Sequence, residues 1–270
     1  MLLAVVLELS SPQPVSVPAA LGVAVQAWLL GRIHQDDPAL AARLHDDQGP
    51  RPYTCSDLIH NVRRQDGSVD LTPEDPCWLR FTALTEEMAG ALERAIGEPC
   101  IDLVEGAPLE VRARYKESTE HSWAGRSSYT TLIQQHVMGS GPPPRQAELR
   151  FASPTLFRSH GQNVILPLPD LVFGSYFFRW NRFAPVTLPY DARRYARECV
   201  DMGRYRLQSA VVRYGRPYMG FVGRVCFDFR VHDERWMRYM QMLADYAFWC
   251  GTGYRTPTGL GQTQFLERAR

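Results

Sequence analysis

Residues 139–147 read GSGPPPRQA. Proline removes an amide donor and glycine costs backbone entropy, so this composition interrupts any helix or strand. It reads as a linker. It divides 270 residues into two parts of ordinary domain size, with expected domains at 1–140 and 146–270.

Each part shows the same order of elements. LLAVVLELS reads as a strand, and LGVAVQAWLLGRI follows at helical spacing with Val25, Trp28, Leu29 and Ile33 on one face. Asp36 and Asp37 ahead of Pro38 cap a second short helix, PALAARLH. Strand material follows the Asp66-Gly67 turn in SVDLTPEDPCWLRFTAL. Thr85 caps TEEMAGALERAIG, where Met88, Leu92 and Ile96 share a face and Gly97 is the stop. Extended segments follow at CIDLVE and APLEVRARYK.

The second part opens with a strand, QAELRFASP, and a helix entered after prolines, PLPDLVFGSYFFRWNRF. YRLQSAVVRYG and FVGRVCFDFRV are two strands joined by a turn at 215–217. DERWMRYMQMLADYAFWCG is a long amphipathic helix with Trp236, Met240, Leu243 and Ala247 on its core face. A last extended piece ends the pattern. Strand, helix, strands, helix, strand, given twice, predicts an α+β chain of two tandem ferredoxin-like (RRM-like) domains. No close sequence repeat links the halves.

Net charge is only +1, but its distribution is uneven. Residues 1–145 carry 12 basic and 19 acidic side chains, and residues 146–270 carry 18 basic and 10 acidic. A basic second half points to a polyanion partner. All basic residues but Lys116 are arginine. A GC-rich coding sequence accounts for that choice, but not for the concentration in one half. The start lacks the basic region of a signal peptide, and no apolar run is long enough to span a membrane. Six scattered cysteines with no CxxC pair argue against a zinc site and suit a reducing, cytoplasmic setting. No metal and no cofactor is expected.

GTGYRTPTGLGQT, residues 251–263, places four glycines between a helix and a strand. A P-loop or dinucleotide fingerprint would open a helix instead. One reading is a helix C-cap, but a cap needs one glycine. The other is a backbone cradle for phosphate, with Arg255, Thr256 and Thr258 as added donors.

This loop resembles the C-terminal glycine-rich signature of the RAMP superfamily of CRISPR-associated proteins, and in particular the endoribonuclease that cuts CRISPR repeat transcripts. FASPTLFR (151–158), LPLPDLVFGSYFFRWNRF (166–183), GFVGRVCFDF (220–229) and LHDDQGPRPYTCSDL (44–58) are similar to further segments of that family. The resemblance spans residues 2 to about 265 and implies tandem ferredoxin-like domains. It implies metal-free RNA cleavage, in which a ribose 2′-OH attacks the adjacent phosphate. The products are a 2′,3′-cyclic phosphate and a 5′-OH. His45 matches the family's catalytic histidine, and Arg51 matches a position that is often lysine, suited to the scissile phosphate. Some members add a tyrosine on the preceding helix; AWLLGRIH here has none, leaving His34 and Tyr53 as possible auxiliaries. RNA-binding positions implied are Gly251, Gly253, Arg255, Thr256, Gly259, Gly261, Arg158 and Arg224. The implied partners are CRISPR repeat RNA in its precursor transcript, an effector complex and a second copy in a homodimer, with no membrane. The alternative on the same fold is a non-cutting RNA-binding subunit of such a complex.

Overall fold

The computed structural model describes residues 1–63 and 66–266. Two units divide the chain. The first comprises Met1–Arg126 with Arg213–Arg216 and Pro257–Gly259; the second takes Ser127–Val212, Pro217–Thr256 and the chain from Leu260 on.

In the first unit the apolar opening forms strand β1 (Leu2–Ser10), buried on both faces and therefore central. A short strand β2 (Val15–Pro18) precedes helix α1 (Gly22–Asp36), which buries Val25, Leu29 and Ile33. Helix α2 (Pro38–Asp46) starts as its sequence predicts. Proline occupies the first turn, and the Asp37 carboxylate accepts the Leu40 N–H at 2.9 Å. Strands β3 (Tyr53–Cys55), β4 (Ile59–His60), β5 (Ser68–Leu71) and β6 (Cys77–Ala83) follow. Helix α3 (Glu86–Ala95) is capped by Thr85 and buries Met88 and Leu92. Strands β7 (Cys100–Asp102), β8 (Pro108–Tyr115) and β9 (Gly125–Ser127) complete the set. The main sheet runs β3-β6-β1-β8-β7, with β1 antiparallel to both neighbours.

The second unit begins with the short helix α4 (Tyr129–Leu132). Its strands are β10 (Gln146–Thr155), β11 (Phe157–Ser159) and β12 (Gln162–Val164), followed by helices α5 (Pro169–Phe183) and α6 (Tyr190–Glu198). The long hairpin of β13 (Val200–Tyr214) and β14 (Arg216–Phe229) turns at Gly215, whose φ of 72° suits glycine. Helix α7 (Glu234–Cys250) and strand β15 (Thr263–Leu266) end it. The sheet order β13-β14-β10-β15 repeats the β3-β6-β1-β8 order of the first unit. With the helices between first and second, and third and fourth, strands of each, both units are ferredoxin-like. An aromatic core joins α5 to the sheet and to α7: Phe173 meets Phe227 of β14 at 5.2 Å and Trp180 meets Tyr246 of α7 at 5.2 Å, both edge-on.

The glycine–proline stretch at 139–147 is held to α7. Gln241 donates to the carbonyls of Pro144 and Gln146, each at 2.9 Å, and Arg238 donates to that of Gly141 at 2.6 Å.

Candidate active site and nucleic-acid interface

Helix α2 buries Leu40, Ala41 and Leu44 against the core, and this spacing leaves His45 exposed in its last turn. Arg51 closes that helix end. Its Nη2 donates to the His45 carbonyl at 3.1 Å, and its Nη1 donates to the Asp47 carbonyl. A guanidinium there satisfies carbonyls the helix leaves unpaired and complements the negative end of its dipole. The Asp47 carboxylate accepts the Gly49 N–H at 2.8 Å, shaping the turn back to Arg51. Each of the two terminal nitrogens of the guanidinium thus makes one bond to this helix end.

The possible auxiliaries separate. His34 is exposed in the last turn of α1, and among the described residues no hydrogen bond or ion pair joins it to His45. Tyr53 is fully buried in β3, and its hydroxyl accepts from Gln26 Nε2 at 3.0 Å. Burial pushes that hydroxyl well above the ordinary tyrosine range. The structure therefore corrects the expectation for Tyr53: it is a core residue, closed to a strand at the surface.

Six residues beyond Arg51, Asp57 belongs to a cluster that sequence reading does not single out. The Asp57 carboxylate accepts the N–H of Leu21, the N-cap residue of α1, at 2.6 Å and that of Leu58 at 2.9 Å. Tyr214 donates its hydroxyl to the same carboxylate at 3.3 Å. Gly259 donates its N–H to the Cys55 carbonyl at 3.0 Å. A Cβ on Gly259 would stand 2.7 Å from the Tyr214 hydroxyl and 3.0 Å from the Asp57 nitrogen, so only glycine fits.

The rest of the glycine loop is equally occupied by its own chain. Gly251 caps α7 with φ 65°, and its N–H donates to Ala247. Thr252 N–H donates to Gly261, Gly261 N–H to Pro154 and Tyr254 N–H to Leu156, at 2.8–3.1 Å. A Cβ on Gly253 or Gly261 would fall on the carbonyls of Leu156 and Thr252. The backbone cradle expected here does not form from Gly251, Gly259 and Gly261, because their donors are spent within the protein. Thr256 is buried, and its hydroxyl accepts from Arg179 at 3.4 Å. The loop's charge is Arg255, in a left-handed backbone with φ 60°. Its guanidinium lies 4.8 Å over the Tyr218 ring and donates to the Tyr218 hydroxyl at 2.7 Å. Arg158 on β11 and Arg224 on β14 are both exposed.

Comparison with known proteins gives a consistent result. Residues 149–263 match the family model for the CRISPR-associated endoribonuclease Cas6. A curated Streptococcus thermophilus protein described as a CRISPR-associated endoribonuclease Cas6 is 29% identical over 122 residues, 44% of this chain and 49% of that protein. The chain thus spans about half the length of that curated relative. A solved Cas6 product complex is similar over 98% of this chain and 99% of its own, at 28% identity and a TM-score of 0.78. Thermus thermophilus Cas6 is similar over 98% of each chain, at 22% identity and a TM-score of 0.73, which is a likeness of fold. The resemblance carried by the sequence motifs therefore holds: the chain has the tandem ferredoxin-like fold of Cas6 structures throughout and Cas6-like sequence in its C-terminal half.

Proposed function

We propose that this Cas6-like chain is an endoribonuclease that cuts CRISPR repeat RNA in precursor transcripts without a metal ion. The observation that carries the reading is His45, exposed at the end of α2 while Arg51 holds its carbonyl at 3.1 Å. A ribose 2′-OH attacks the adjacent phosphorus, and its proton passes to a base. The 5′-oxygen leaves with a proton from an acid. The products are a 2′,3′-cyclic phosphate and a 5′-OH. An imidazole serves either proton transfer near neutral pH, contributing on the order of 10²–10⁴-fold. The Arg51 guanidinium supplies positive charge to the phosphate as negative charge builds on it. Arg158, Arg224 and Arg255 hold the RNA backbone, and the glycine loop, with Gly251, Gly253, Thr256, Gly259 and Gly261, fixes the position of Arg255.

A second reading, an RNA-binding subunit that does not cut, draws support from the buried Tyr53 and the lack of a tyrosine on α1. Incubation with repeat RNA separates the two. The first reading requires that a 2′-deoxy substitution at the cut site leave RNA bound but whole. Cleavage of that substrate would overturn it, and absence of cleavage of the all-ribose RNA would favour the second.

A further inference from the structure

Helix α5 carries a buried arginine, Arg179, and among the described residues no carboxylate pairs with it. A buried charge without a counter-charge costs desolvation that an apolar side chain of similar volume avoids. Packing alone does not call for a guanidinium here.

Its partners lie in the glycine loop. Nη2 donates to the Gly253 carbonyl at 2.7 Å and to the Thr256 hydroxyl at 3.4 Å, while Nη1 donates to the Ser175 carbonyl of its own helix at 3.2 Å. One nitrogen thus joins the residue two before Arg255 to the residue one after it. Three positions earlier on α5, the Tyr176 hydroxyl shares a 2.6 Å hydrogen bond with that of Thr252. Arg255 itself has φ 60°, a conformation that a non-glycine residue keeps only where its surroundings fix it. Arg179 fixes the backbone on either side of it from α5, and Tyr218 fixes its side chain from β14.

We propose that Arg179 is a positioning residue for RNA binding. By closing the loop across Gly253 and Thr256, it holds Arg255 in the conformation that meets an RNA phosphate. Being buried, it makes no contact with RNA itself. The inference rests on Arg255 as an RNA-backbone contact, part of the proposed function, and depends neither on His45 nor on cleavage.

The test measures binding of repeat RNA with a 2′-deoxy cut site to the full chain, in EDTA, over a range of salt. Each variant is used below its own melting transition. Arg255→Ala is expected to weaken binding about tenfold and to lower the slope of log affinity against log salt by about 0.7–0.9, the share of one phosphate contact. Arg179→Met removes the donors beneath the loop and should lose most of the same amounts. Added to Arg255→Ala, it should change affinity by less than about twofold, because the contact is already gone. Added to Arg224→Ala, it should cost its full factor. A merely structural role would weaken both backgrounds alike and leave the slope unmoved, and that result overturns the proposal. So does wild-type affinity in the Arg179→Met variant. Should that variant fail to fold, Arg179→Lys is read in the same two backgrounds. Its ammonium lacks the planar fork, so an intermediate loss with the same dependence on background is expected, and wild-type affinity overturns the proposal. Arg255→Ala without effect overturns this inference together with the reading of Arg255. Absence of cleavage of the all-ribose RNA, with the couplings as expected, overturns the endoribonuclease reading alone and supports this one.

Discussion

The Arg51 guanidinium donates to the backbone carbonyl of His45 at 3.1 Å and also to that of Asp47. The arginine therefore ties down the helix end that presents the histidine, whatever further contact it makes with RNA. Arg51→Ala should lower stability by about 1 kcal/mol, the worth of such hydrogen bonds at a partly exposed site, and lower cleavage at a temperature where the variant is fully folded. Arg51→Lys should recover part of each, since an ammonium lacks the planar fork that reaches two carbonyls. Thermal unfolding and single-turnover cleavage check both.

Tyr53 is expected to matter for stability and not for chemistry. Tyr53→Phe leaves the Gln26 amide without its partner, at a cost of about 1 kcal/mol. Cleavage by the folded variant should stay close to wild type. A loss as large as that of a general acid, on the order of 10²-fold, would restore Tyr53 to the reaction.

Glycine substitutions in the 251–263 loop should act through packing. Gly259 has φ 95°, and a Cβ there would stand 3.0 Å from the Asp57 backbone, whereas Gly67 has φ 84° with open space around it. Alanine at Gly67 costs the left-handed penalty of about 1–2 kcal/mol. Gly259→Ala adds the clash with Asp57 and Tyr214, so its melting temperature should fall clearly further. Equal losses in the two variants would contradict a packing role.

His121 carries a pH dependence. Burial first, and then the Arg80 guanidinium, hold its imidazole below the ordinary histidine range, against an opposing pull from Glu8. Its Nδ1 accepts the Trp123 N–H at 3.1 Å, and its ring lies against Trp78 and Tyr115. A depressed histidine pKa means that the folded state binds the proton less readily. The contribution is therefore full above the unfolded value of about 6.5 and is lost as pH falls below it. The difference in melting temperature between wild type and His121→Gln should shrink from pH 7.5 to pH 5.5. A difference that grows over that range would contradict the sign.

Much of this fold is readable residue by residue. Asp37, Thr85 and Asp233 mark helix starts by side chains that accept from the first turn, and the period-two burial of β10 appears as alternation in QAELRF. Helix α6 gives little apolar signal because its charged sequence, DARRYARE, buries only Ala192, Tyr195 and Ala196. The glycines of the terminal loop are plain in the sequence, but their reason is not. Gly253 and Gly259 lie against backbone supplied by distant residues, Leu156 and Asp57. The Tyr214–Asp57 contact spans 157 positions, beyond the reach of any local pattern. His45 and Arg51 are marked in the sequence by family resemblance alone. Their joining through a carbonyl is a fact of the folded helix end.

The most direct test of the central claim is cleavage of CRISPR repeat RNA in excess EDTA by wild type and by His45→Ala, with product ends identified by mass. The expected result is cutting in EDTA, a 2′,3′-cyclic phosphate on the upstream product, and a fall on the order of 10²–10⁴-fold for His45→Ala. Cleavage that requires added magnesium, or that persists undiminished without the imidazole, would contradict the claim.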